Sequence, residues 1–242
     1  MVKGIILPNH FYVERNFEMT IQATTLSMEI TKKVQIDYLL SFPEGYEDQT
    51  REWGFIVFLH GMDMRGEDVT QLSNYGLLEI AKEGQLSLPF IVAVPQCPSE
   101  SFWNMERDSL SALLAEITSN HRVDSNRIYA IGYSMGGYGV WDLAIHNPNT
   151  FAAIVPLSSG GQISKAAHLN NTAIWAFHGA KDNIVPLEQM TNMINAVKTH
   201  QRDVKLTVYT DMGHDIMRKT LGNQELYTWL LEQKKRFGES LF

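Results

Sequence analysis

IYAIGYSMGGYGVW, residues 128–141, runs a β-favouring stretch into a serine bracketed by glycines. Ile128, Tyr129 and Ile131 lead to Gly132, Tyr133, Ser134, Met135 and Gly136. Beyond Gly137 the spacing becomes helical, with Val140, Trp141, Leu143, Ala144 and Ile145 on one apolar face. A strand, a sharp turn and a helix therefore meet at Ser134. Gly132 and Gly136 have a steric part in such a turn, since side chains there would collide with the adjacent strand and helix.

Outward from this stretch, apolar strands alternate with helical segments. Strands are predicted at 55–60, 90–95, 127–133, 151–158, 173–179 and 204–210, and helices near 72–83, 107–120, 136–147, 187–199 and 221–236. Several strands read as nearly continuous apolar runs, as in a parallel sheet covered on both faces. The alternation predicts an α/β fold, with a mostly parallel central sheet and helices on both faces. No repeat or Gly/Ser/Pro-rich linker divides the chain. Residues 1–242 are thus expected to form a single domain, with 1–34 as a β-rich extension of it leading into KKVQIDYLLSF.

In a doubly wound sheet, ligands bind beyond the carboxyl ends of the strands. The reactive residue types fall there. The first strand ends in His60, Gly61 and Met62; Ser134 ends the third; Asp182 follows the fifth; and His214 follows the sixth in DMGHD. Serine attacks a carbonyl only when a base takes its proton, and histidine titrates near neutrality. A carboxylate behind the histidine sets its tautomer. The order serine, acid, histidine is that of the α/β-hydrolase fold. Asp182 competes for the acid's place with Asp211 and Asp215, but it alone lies after the penultimate strand. Asp215 fits a cap for the helix that follows. His60 and His178 each end a strand before a glycine and suit tying loops together. Backbone N–H groups of Met135, after the serine, and Met62, after the first strand, are the candidate oxyanion donors. Met62, Met64, Met135, Met212 and Met217 all lie on these loops, either as a soft acyl or aryl pocket or as fillers of irregular gaps.

The bulk composition excludes several classes. A formal charge of −7 among 242 residues argues against a nucleic-acid partner, and Lys234, Lys235 and Arg236 suit a solvated helix end. Cys97 is the sole cysteine, so there is no internal disulfide or thiolate metal cluster. No apolar run reaches transmembrane length, and the four-residue apolar stretch near the start is too short for a signal peptide. A cytoplasmic protein, or an exported one whose signal has been removed, fits equally. Nothing assigns an oligomeric state.

HGMDMRGED, VPQCPSESFW, RIYAIGYSMGGYGVWDLA, FAAIVPLSSGG, AIWAFHGAKDNIVP and LTVYTDMGHDIMRKT together resemble the phospholipase/carboxylesterase-like α/β-hydrolases. The likeness is strongest to the predicted-peptidase branch, akin to dienelactone hydrolases and to feruloyl or polyhydroxybutyrate depolymerase-like esterases, and covers roughly residues 35–236. It implies a serine esterase with Ser134, Asp182 and His214 as triad, Met62 and Met135 as oxyanion donors, and no metal or cofactor. Gln96 and Trp103 match positions near the cleft of that branch and are candidate substrate contacts, as are Met64 and Met217. Asp63 and Met64 depart from the family pattern of a small residue followed by an acid. Met217 stands where relatives often carry tryptophan. The expected substrate is a small-molecule ester of a small acyl or aryl acid, held in an open cleft with lips at 61–71, 95–106 and 159–172. A serine peptidase on the same scaffold and a non-catalytic hydrolase-like binding protein are the alternatives.

Overall fold

The computed structural model describes residues 23–28, 31–84 and 88–236. The chain divides into two compact units, Met1–Lys33 and Val34–Phe242. The expected β-rich extension over 1–34 lies largely outside the described residues; in the parts described, 23–28 and 31–34, no strand forms.

The second unit is built on a seven-stranded sheet: β1 (Tyr38–Ser41), β2 (Trp53–Leu59), β3 (Phe90–Pro95), β4 (Val123–Tyr133), β5 (Ala153–Leu157), β6 (Ala173–Gly179) and β7 (Val204–Tyr209). Their spatial order is β1-β3-β2-β4-β5-β6-β7, with β1 antiparallel to β3 and all other pairs parallel. The interleaved helices are α1 (Gly76–Lys82), α2 (Arg107–Asn120), α3 (Met135–His146), α4 (Leu187–Lys198), α5 (Met217–Leu221) and α6 (Gln224–Glu232).

The apolar runs are explained by two cores, one on each face of the sheet. Phe55, Val57 and Leu59 of β2 join residues of α2, α3 and α4, whereas Ile56 and Phe58 join residues of α1 and α6. Successive strand side chains alternate between faces, so a strand buried on both sides reads as unbroken hydrophobicity. After β3 the chain returns across β2 to lay down β4, so strand order reverses between β2 and β4. That is the switch point at which doubly wound sheets open a crevice, and the loops after β2 and β4 carry Met62 and Ser134.

Two predicted helices differ from the expectation. The 72–83 segment is a 3-10 turn (Val69–Asn74) followed by α1, because Tyr75 between them is extended, with φ −134° and ψ 139°. The 221–236 segment is split into α5 and α6 at Asn223, whose side chain accepts the Glu225 N–H and starts a new helix. A further 3-10 segment, Ile163–Leu169, follows β5.

Candidate active site

β4 ends at Tyr133, and Ser134 stands as the N-cap of α3 with φ 53° and ψ −116°. For a residue with a side chain this region costs about 1–3 kcal/mol. The turn survives because its surroundings fix it: the Ser134 N–H donates to the Leu157 carbonyl at 2.9 Å, and the Ser134 carbonyl accepts from Tyr138 at 3.1 Å. The glycines are steric, as expected. A Cβ on Gly132 would lie 2.2 Å from the Gly136 carbonyl oxygen, and one on Gly136 would lie 1.9 Å from that of Leu59.

The Ser134 hydroxyl lies 2.8 Å from His214 Nε2, and His214 Nδ1 lies 2.8 Å from Asp182 Oδ2. The other Asp182 oxygen accepts the Ile184 and Val185 N–H groups, each at 2.9 Å. Burial pushes this carboxyl up, but the His214 bond and the two backbone bonds outweigh it and hold it below the usual carboxylate range. Of the competing acids, Asp211 and Asp215 are both exposed. Asp215 is not a helix cap either: the cap of α5 is Ile216, without a side-chain bond.

Two residues that the sequence did not single out hold the His214 loop. The Ser158 hydroxyl donates to the His214 carbonyl at 2.8 Å, and the Tyr133 ring packs 5.3 Å from the imidazole. Ser158 sits fully buried at the end of β5 with φ 46°. The only signal for it is its place after an apolar strand, which neither its conformation nor its partner betrays.

His60 and His178 tie loops, as predicted. His60 Nδ1–H donates to the Gly61 carbonyl at 2.6 Å and Nε2 accepts the Cys97 N–H at 3.0 Å, so one neutral tautomer joins the ends of β2 and β3. His178 Nε2–H donates to the Val185 carbonyl at 2.9 Å and lies 3.3 Å from Asp182 Oδ2. Burial pushes the His60 pKa down to about 4 and also lowers that of His178. A depressed histidine pKa makes the folded state bind fewer protons than the unfolded one. Stability is therefore expected to fall as pH drops from about 6.5 to about 4, with His60 contributing roughly 3 kcal/mol. Urea midpoints between pH 7.5 and 4 check this: the slope should flatten in His60→Gln, and an equal slope in both proteins would refute it.

Met62 heads a 3-10 turn (Met62–Met64) and Met135 heads α3. First-turn N–H groups lack intrahelical acceptors, so both are placed to donate outward. Both residues line a cleft of about 710 Å³ beside Ser134. All three expected lips contribute to it, through Met62, through Phe102 with Trp103, and through Gly161 with Lys165. Trp103 lines the cleft and is anchored by its indole N–H, which donates to the His60 carbonyl at 3.0 Å.

The remaining substrate candidates are placed elsewhere. Gln96 is 4% exposed, and its amide donates to the Met64 carbonyl at 3.1 Å, tying the first loop to the end of β3. Met64 and Met217, with Met212, pack against the core on the α1 and α6 face and do not line the cleft. The methionines thus divide: two wall the cleft and three fill gaps. Among the described residues no group of His, Cys, Asp and Glu is arranged to hold a metal ion, and no helix is long and apolar enough to cross a membrane.

Residues 99–225, from the lip before α2 into α6, match the model of the dienelactone hydrolase family. The chain belongs to that family. This dienelactone hydrolase family member is 24% identical over 180 residues to the bifunctional acetylxylan esterase/xylanase XynS20E of Neocallimastix patriciarum, covering 72% of this chain and 25% of that one. It is 28% identical over 167 residues to "Probable feruloyl esterase C" of Aspergillus terreus, covering 66% and 59%. The crystal structure of a thermostable esterase superposes with a TM-score of 0.72 at 30% identity, covering 83% of this chain and 60% of that one. The family member thus spans less than two thirds of each of these relatives. The mostly parallel seven-stranded sheet is the α/β-hydrolase sheet of these esterases.

Proposed function

We propose that this protein is a serine carboxylesterase that hydrolyses esters of small acyl or aryl acids through an acyl-enzyme. The observation that carries the reading is the relay Asp182–His214–Ser134, with two consecutive contacts of 2.8 Å, at the mouth of a cleft. Ser134 Oγ attacks the ester carbonyl as His214 Nε2 takes its proton. The oxyanion is met by the Met62 and Met135 N–H groups, each worth about 3 kcal/mol to the transition state. His214 then returns the proton to the leaving alcohol, and water repeats the sequence with the alcohol's role reversed. Asp182 holds Nδ1 protonated, so that Nε2 is the basic nitrogen. Esterase relatives support ester over amide cleavage.

A fluorophosphonate probe tests the nucleophile. It is expected to attach one phosphonyl group, located by peptide mass spectrometry on Ser134, and to leave Ser134→Ala unlabelled. An unlabelled wild-type protein would favour the non-catalytic binding reading, and labelling at another serine would move the nucleophile.

A further inference from the structure

His178 is a buried histidine that the proposed mechanism leaves without a task. It lies in β6, which is hydrogen-bonded between β5 and β7, and Val208 is its partner across the second pair. The side chains of His178 and Asp182 are fully buried, whereas that of His214 is 12% exposed. Asp182 therefore stands between two histidines, one sealed inside the protein and one reaching Ser134.

The contacts of the carboxylate divide evenly between its oxygens. Oδ1 takes the Ile184 and Val185 N–H groups, each at 2.9 Å. Oδ2 takes His214 Nδ1–H at 2.8 Å and faces His178 Nε2 at 3.3 Å. The same Nε2 lies 2.9 Å from the Val185 carbonyl oxygen. Two acceptors on one nitrogen require a proton there, shared between them. His178 Nδ1 is buried and has no hydrogen-bond partner among the described residues. A proton on it would be a second buried donor without an acceptor, so the ring is the neutral Nε2–H tautomer. Burial lowers the His178 pKa in the same sense. An unpaired buried acceptor costs stability, and an apolar side chain of similar size would not incur that cost. What the imidazole adds over such a side chain is one donor, aimed at Val185 and Asp182 together.

We infer that His178 is a positioning residue for the relay. Its Nε2–H fixes the turn of the carboxylate so that Oδ2 faces His214 Nδ1. It also draws on the charge of that oxygen, which limits how far Asp182 favours the protonated form of His214. The inference rests on the serine-esterase reading, in which unprotonated His214 is the base. His214 is also faced by Ser134 and by the Tyr133 ring, which Asp63 and Asp215 approach in turn. Asp211 and Asp215 flank it, exposed, on its own loop, and Lys181 joins that loop through its N–H to the Met212 carbonyl. Of the charged groups around His214, only Asp182 changes its contacts when His178 is replaced.

The test is p-nitrophenyl butyrate hydrolysis from pH 5 to 9 by wild type, His178→Met, His178→Gln and Ser134→Ala, with rates expressed per site titrated by a fluorophosphonate. Methionine cannot donate; the glutamine amide can place an N–H near the position of Nε2. His178→Met is expected to lower kcat about fivefold with KM within twofold. It should also move the acid limb of kcat/KM upward by about half a pH unit, because an unshared Oδ2 stabilises the imidazolium more strongly. His178→Gln should return the limb to its wild-type place and kcat to within about threefold. An acid limb unmoved in His178→Met, with or without a fall in kcat, overturns the inference and leaves the esterase standing; so does a His178→Gln limb displaced as far as that of His178→Met. A second measurement needs no variant: two-bond proton–nitrogen correlations on the wild-type protein should show His178 as the neutral Nε2–H tautomer from pH 6 to 8. A proton on Nδ1 in that range overturns the inference. Wild type no faster than Ser134→Ala overturns the esterase reading, and the role of His178 with it.

Discussion

Ser134→Ala is expected to lower kcat on p-nitrophenyl butyrate by about five orders of magnitude with little change in KM. A nucleophile acts only in the chemical step, so its loss removes transition-state stabilisation and leaves ground-state binding. What survives over the uncatalysed reaction should be the effect of the oxyanion donors and of substrate positioning, roughly 10³-fold. The fold should be spared, because the strain at φ 53° is held by backbone bonds to Leu157 and Tyr138 that do not involve the hydroxyl. Burst kinetics and thermal denaturation on the same preparation check both parts. Retention of even a tenth of wild-type kcat would mean that another group attacks.

The second large effect is predicted for Asp182→Asn, about 10⁴-fold in kcat. The reason lies in the two oxygens. One accepts the Ile184 and Val185 N–H groups and the other accepts His214 Nδ1–H. An asparagine must keep its carbonyl oxygen toward the two backbone donors, since an NH₂ group there would face hydrogens. Its amide then points at His214 and donates to Nδ1. The histidine is driven into the tautomer with its proton on Nε2, where it cannot accept the serine's. Steady-state kinetics with a fluorophosphonate rate would show it: labelling should slow in parallel with kcat, and a variant within tenfold of wild type would refute the tautomer argument.

Most of the framework was readable from residue order. α2 occupies the predicted 107–120, because its apolar positions face one layer and keep a clean helical period. Ser134, Asp182 and His214 were readable because each follows an apolar strand, and the topology gathers strand ends at one edge. The cleft walls were harder. Met64 shares a turn with Met62, and Met217 follows another strand end of the same edge, yet both turn to the opposite face of the sheet from Met135, and chain position says nothing about that direction. Gln96 shows the same limit: a residue expected near the cleft from the family resemblance is a brace between loops. The polar end of the cleft was least legible, since Arg107, Asp142, His146 and Lys165, which line it, come from α2, α3 and a 3-10 segment with no shared motif. Ser158 remained hidden for a related reason, its left-handed backbone being set by the His214 loop it supports.

The relay spans the chain unevenly. Ser134 is made 48 residues before Asp182 and 80 before His214; Asp182 sits behind two further parallel strands, β5 and β6, and His214 behind a third, β7. During synthesis from the N-terminus, at about 5–20 residues per second, the serine and its glycine turn exist for several seconds before any base can reach them. On the proposed mechanism the nascent chain carries a silent hydroxyl, and hydrolytic competence would arrive in one step when β7 docks on β6 and brings the DMGHD loop into place.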